Sequence, residues 1–121
     1  MLARRATAQR TVLLVGRDLH EAERVRRLLP AQVRIAHSPC DALPALGRAD
    51  VVLLEDRSWA AREDGALESM REMAAARRLA LILSRLRGES GEPAGVPVVE
   101  RPYRIEEIVA AMHLALLRRG G

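Results

Sequence analysis

The chain has 121 residues, 49% of them hydrophobic and 30% charged, with a formal net charge of +4. This composition fits one folded domain with its own core and excludes a disordered chain. No apolar run approaches the roughly 20 residues that cross a bilayer, and the basic start Met1-Leu2-Ala3-Arg4-Arg5 leads into no apolar h-region of a secretory signal.

The charge does not favour nucleic-acid binding either. Lysine is absent, the arginines are interspersed with sixteen acids, and one Trp and one Tyr are the only aromatics, so no groove-reading motif accompanies the basic residues. The single Cys40 has no intramolecular partner for a disulfide, which fits a reducing cytoplasm, the location expected here.

Residues 1–9 carry no periodicity and read as a flexible arm before a single domain over 10–121. Thr11-Val12-Leu13-Leu14-Val15, closed by Gly16, is a buried strand by its β-branched apolar run. Asp18-Leu19-His20-Glu21 is a capping-box pattern, with Asp18 as N-cap and Glu21 reaching back. Ala22, Val25, Leu28 and Leu29 then form an inward stripe until Pro30 stops the helix. Val33-Arg34-Ile35-Ala36 alternates as a second strand.

Ser38-Pro39-Cys40-Asp41 repeats the capping logic, with Pro39 at the first helical position. Pro44 should bend or shorten that helix, and Gly47 ends it. Cys40 lies near the helix N-terminus, where a thiol pKa can fall, but a small core residue is the favoured reading.

Val51-Val52-Leu53-Leu54 is a third strand, apolar throughout as a central parallel strand is, and it runs straight into Glu55 and Asp56. A loop with Trp59 and Asp64-Gly65 follows. Leu67, Met70, Met73 and Ala74 give the next helix its core face, ending near Arg77-Arg78. Trp59 is either a binding anchor or a lid over the acids. Leu79 to Ser84 is a fourth strand, residues 85–95 with three glycines and a proline are a loop, and Val96-Pro97-Val98-Val99 is an edge strand. The last helix covers 104–119, with Ile105, Ile108, Val109, Met112 and Leu116 inward.

Strands alternating with helices imply a parallel sheet with helices on both faces. Ligand and catalytic groups in such sheets sit at the carboxyl ends of the strands. Here those positions hold Gly16, Arg17, Asp18, Glu55, Asp56, Ser84 and Arg101-Pro102-Tyr103.

In this order the chain resembles the receiver domain of bacterial two-component response regulators, over roughly residues 10 to 119. "RTVLLVGRD" is similar to the family's first strand and "ADVVLLE" to the strand that carries the phosphoacceptor. Arg101-Pro102-Tyr103 is similar to its Lys-Pro-Phe signature, and Asp64-Gly65 to the loop signature after the acceptor, two residues late. The resemblance implies a flavodoxin-like, doubly wound, five-stranded parallel sheet of order 2-1-3-4-5. It also implies a phosphorylation switch in which an acidic pair holds Mg²⁺, an aspartate takes the phosphoryl group, a Ser/Thr follows the fourth strand, and a lysine precedes a cis proline.

This chain keeps only Ser84 and Pro102 of that set. The acidic pair falls on Gly16 and Arg17, the acceptor on Glu55 and the lysine on Arg101. Mg²⁺ relies on carboxylate oxygens. Exchanging one for Arg17 removes an attraction and adds a repulsion, each roughly 4 kcal/mol at 4 Å in an effective dielectric of 20. Metal binding, and with it phosphorylation, is therefore expected to be lost. Asp56 could act as acceptor only through a one-residue register shift, which points a side chain to the opposite face; for Asp18 a helix N-cap is explanation enough. Arg17 and Arg101 are both expected to reach Glu55 and close a salt-bridge cluster, leaving Glu55 either a mimic of the phosphorylated state or an inert plug.

The family fits a whole helix between its fourth and fifth strands. The Gly- and Pro-rich segment here leaves that helix lost or shortened to a loop. Its aromatic switch position falls near Val98. The expected interaction surface is Val98, Tyr103, Ala110, Leu114 and Leu117, where a signalling protein or a second copy would dock through the last helix and the loop 85–95; ordinary surface leucines are the competing reading. His20, His37 and His113 share no metal-ligand spacing.

The expected function is thus a non-enzymatic pseudo-receiver working by protein–protein interaction, with no cofactor. The alternatives are a conventional receiver using Asp56, a nucleotide-binding α/β protein, for which the lone Gly16 lacks G-x-G-x-x-G spacing, and an arginine-driven nucleic-acid binder.

Overall fold

A computed structural model describes residues 10–55, 59, 61–87 and 96–119. The arm 1–9, Asp56 and most of the loop read at 85–95 (residues 88–95) lie outside the described residues. Five strands, β1 (Thr11–Val15), β2 (Gln32–Ala36), β3 (Val51–Glu55), β4 (Ala80–Leu86) and β5 (Val98–Arg101), form one parallel sheet in the order β2-β1-β3-β4-β5. Among the described residues there are four α-helices: α1 (Leu19–Leu28), α2 (Pro39–Ala42), α3 (Asp64–Ala75) and α4 (Ile105–Arg118). The flavodoxin-like topology is the one expected, and no described helix lies between β4 and β5.

The central strands β1, β3 and β4 are buried on both faces, as their nearly continuous Val/Leu/Ile runs require. Val12, Leu14, Leu53 and Ile82 pack with α1 and α4 through Val25, Ile108 and Met112. Leu13, Val15, Leu54, Leu81 and Leu83 pack on the other face with Leu46 and Met70. Side chains with period two therefore send neighbouring residues of each strand into different cores. Glu55 and Ser84 are register partners one step beyond the pair Leu54 and Leu83. Their side chains consequently turn to the α1/α4 face.

The caps are largely where the sequence puts them. The Glu21 N–H donates to Asp18 Oδ1 at 3.0 Å, and the Asp41 N–H to Ser38 Oγ at 3.2 Å. Glu21 does not complete a capping box; its carboxylate takes Arg24 at 3.1 Å instead. α2 has only four residues and passes at Leu43 into a 3-10 helix (Leu43–Arg48), because Pro44 cannot donate to an α-helical ladder.

Several expectations are corrected. β5 begins two residues later than Val96, so Pro97 precedes it and supplies a carbonyl that accepts the Leu83 N–H at 3.0 Å. β4 runs on through Arg85 and Leu86, read as loop, because continued pairing with Glu100 and Arg101 extends the ladder. Asp64-Gly65 opens α3 instead of forming a loop. Leu28, placed inward by its spacing, is half exposed, since α1 ends there and Leu29 takes the inward place.

Candidate functional site at the carboxyl ends of the strands

Glu55 ends β3 with its carboxylate buried toward α1. One oxygen, Oε1, is 2.8 Å from Arg101 Nη1, an ion pair with side chains only 9% and 17% exposed. The other, Oε2, accepts the Arg17 backbone N–H at 2.8 Å. Gly16 makes room for this: a Cβ added there would lie 3.0 Å from Glu55 Oε2. The carboxylate thus occupies the space a side chain at position 16 would need. The longer glutamate reaches across from β3 because the glycine has vacated β1's end.

The expected second arginine on Glu55 is a correction. Arg17 contributes its main chain, while its guanidinium carbon stands 4.8 Å from the centroid of the Trp59 ring, a cation–π contact on the exposed side. Trp59 is held in turn by its indole N–H, which donates to the Glu55 carbonyl at 3.1 Å. It packs against the α3-side core, so it covers the end of β3 with Arg17 stacked on it. The reason is geometric. The chain turns sharply after Gly16, which aims the Arg17 amide at Glu55 and throws its side chain outward.

Ser84 is buried beside Glu55 in register. The Arg101–Pro102 peptide is cis, as the resemblance implied. Asp18 is exposed and caps α1. The space among Gly16, Asp18, Glu55, Ser84, Arg101 and Tyr103 has a volume of about 20 Å³, room for about one water.

Of the residues expected on the interaction surface, Leu114 is 45% and Leu117 69% exposed, and Ala110 is also exposed. Val98 is half-buried against the α3-side core. Tyr103 is buried, contrary to expectation. Arg24 donates to its carbonyl at 3.2 Å and stands 6.0 Å from its ring centroid. Burial and the neighbouring Glu21 carboxylate push its pKa well above the usual tyrosine value. Arg24, which sequence reasoning did not single out as a site residue, ties the segment after β5 to α1.

Sequence reasoning also missed Glu63. It is buried, and its carboxylate accepts the Cys40 N–H at 2.7 Å, so it satisfies a free amide at the start of α2. Cys40 is exposed instead of packed in the core, with Sγ 3.5 Å from the Arg62 carbonyl. The neighbouring Glu63 carboxylate raises the thiol's pKa, and the closeness of Cys40 lowers that of Glu63. This is the reverse of the depression a helix N-terminus suggests. A glutamate one residue before a helix carries no local signal that it bonds elsewhere.

No protein-family model matches the sequence, and neither does any curated protein. Solved structures do match. A response regulator receiver domain protein from Clostridium thermocellum is 14% identical with a TM-score of 0.72, covering 93% of this chain and 98% of that one. A sensor protein from Polaromonas sp. JS666 is 15% identical with a TM-score of 0.73, covering 92% and 98%. The chemotaxis response regulator CheY4 of Vibrio cholerae is 13% identical with a TM-score of 0.71, covering 89% and 99%. The fold is that of response-regulator receiver domains. No described helix is long and apolar enough to cross a membrane.

Proposed function

We propose that this chain is a pseudo-receiver: a non-enzymatic signalling module of cytoplasmic two-component type that acts by binding other proteins without aspartyl phosphorylation. The observation that carries this reading is the state of Glu55, whose two oxygens already hold Arg101 and the Arg17 amide. Phosphoryl transfer needs a free carboxylate oxygen to attack phosphorus, and cations and N–H donors around the charge the group brings. Here an internal carboxylate uses those groups, and the remaining space is that of about one water.

The described donors do not fit Mg²⁺. Glu55 is committed to Arg101 and Arg17, Asp18 caps α1, and glycine and arginine stand at the two positions where the family's acids would lie. No step is therefore routed through a metal. Glu55, fixed by Arg101, acts as a permanent anion in the pocket, and the exposed residues of α4, with Leu114 and Leu117 foremost, form the partner surface. Either a signalling protein or a second copy would satisfy that surface.

The test is incubation with acetyl phosphate and Mg²⁺, followed by intact-mass measurement. The expected result is an unchanged mass. A stable gain of about 80 Da mapping to Asp56 would instead make the chain a conventional receiver.

A further inference from the structure

A groove of about 720 Å³ runs from α3 across β4 to the carboxyl end of α4. Its apolar lining is formed by Ala74, Ala75 and Pro97 above the buried Leu81 and Leu83, with Leu117 standing 69% exposed at the rim. Four arginines line it: Arg71 and Arg77 from α3 and the turn after it, and Arg118 and Arg119 from the end of α4. No acid is among the described residues that line it. None of the four makes an ion pair among the described residues, and the one polar bond among them, Arg119 Nη1 to the Asp50 carbonyl at 3.1 Å, leaves its charge uncompensated. Asp50 is itself paired with Arg10 at 3.7 Å.

Like charges facing one another across an apolar trough favour an occupant that brings the opposite sign along both flanks and an apolar stripe between them. An extended strand has no free sheet edge here to join. A compact anion would satisfy the arginines of one wall and leave Leu117 and the other exposed apolar lining uncovered. An amphipathic helix with carboxylates on both sides of a leucine stripe meets each requirement, since its backbone is already hydrogen-bonded and it can lie on an apolar floor.

We infer that this groove docks an acidic amphipathic helix of a partner protein. The inference rests on the reading that the chain works by protein binding, and it places that binding between α3, β4 and the end of α4.

The probe is a fluorescein-labelled peptide of about 16 residues, with leucines at helical spacing flanked by glutamates, titrated into the full chain by fluorescence anisotropy. Binding is expected in the micromolar range, weakened about tenfold or more by the exposed pair Arg71→Glu/Arg118→Glu and by Leu117→Asp. Arg34→Glu, exposed on β2 at the opposite edge of the sheet, should leave it intact. Circular dichroism checks that each variant is folded.

No binding by the unmodified chain overturns the proposal. So does equal binding of a peptide of the same composition with its helical period scrambled, or tighter binding of a duplex DNA oligonucleotide. Loss in Leu114→Arg but not in the arginine pair would move docking to the outer face of α4. None of these outcomes changes the mass result with acetyl phosphate, so failure of the groove and failure of the pseudo-receiver reading are separable.

Discussion

Two regions of this molecule handle charge in opposite ways. At the carboxyl ends of the strands, Glu55 is buried and met by Arg101 and by the Arg17 N–H, around a space of about 20 Å³. Beside β4, four arginines surround about 720 Å³ with no acid among the described lining residues. Buried charges must be paired, because desolvation costs several kcal/mol per ion. Exposed arginines carry no such requirement and remain able to meet a partner. The comparison teaches that the buried charges described at the strand ends are paired with one another, while arginines with no acid partner among the described residues have gathered on a different surface.

The largest effect should come from breaking the buried pair. Arg101→Ala leaves the Glu55 carboxylate buried without its guanidinium and should cost about 2–3 kcal/mol in urea unfolding. The paired change Glu55→Leu/Arg101→Met should recover most of that loss. If Arg101→Ala is neutral, the ion pair does not hold the site and the contrast between the regions fails.

Gly16→Ala comes next. Its Cβ meets Glu55 Oε2 at 3.0 Å, and that oxygen is pinned by a backbone amide, so about 1–2 kcal/mol of destabilisation is expected. In the Glu55→Ala background the same change should cost less, which is the double-mutant signature of direct contact.

The smallest effect concerns the second buried acid, Glu63. Removing its charge in Glu63→Gln takes away the main cause of the raised Cys40 pKa. More thiolate then exists at any given pH below the thiol's pKa, and iodoacetamide should alkylate Cys40 faster near neutral pH. An unchanged rate-versus-pH curve would show that Glu63 does not govern the thiol.

Much of the fold could be read along the chain. Five apolar runs, caps at Asp18 and Ser38, the break at Pro44 and the alternation of strand with helix are short-range signals, each carried within a few residues. They establish the parallel sheet and bring Glu55, Ser84 and Arg101 to one end of it. The resemblance to receiver domains added the strand order and the partners to compare. The boundaries of β4 and β5 were less legible, because a strand ends where its neighbour stops pairing, and Arg85 looks polar until the ladder buries it.

What the sequence by itself determined is therefore which residues stand near one another at the strand ends, including a glutamate opposite arginines where the family has an aspartate opposite a lysine. What only the tertiary structure decided is how they meet. Arg17 gives Glu55 its amide and Trp59 its guanidinium, Tyr103 turns inward to Glu21 and Arg24, and Glu63 bonds the start of a helix 23 positions earlier. The physical reason is range. Periodicity and capping act between residues a turn apart, whereas the Glu55–Arg101 contact closes over 46 positions and depends on the directions in which separate strands deliver their last side chains.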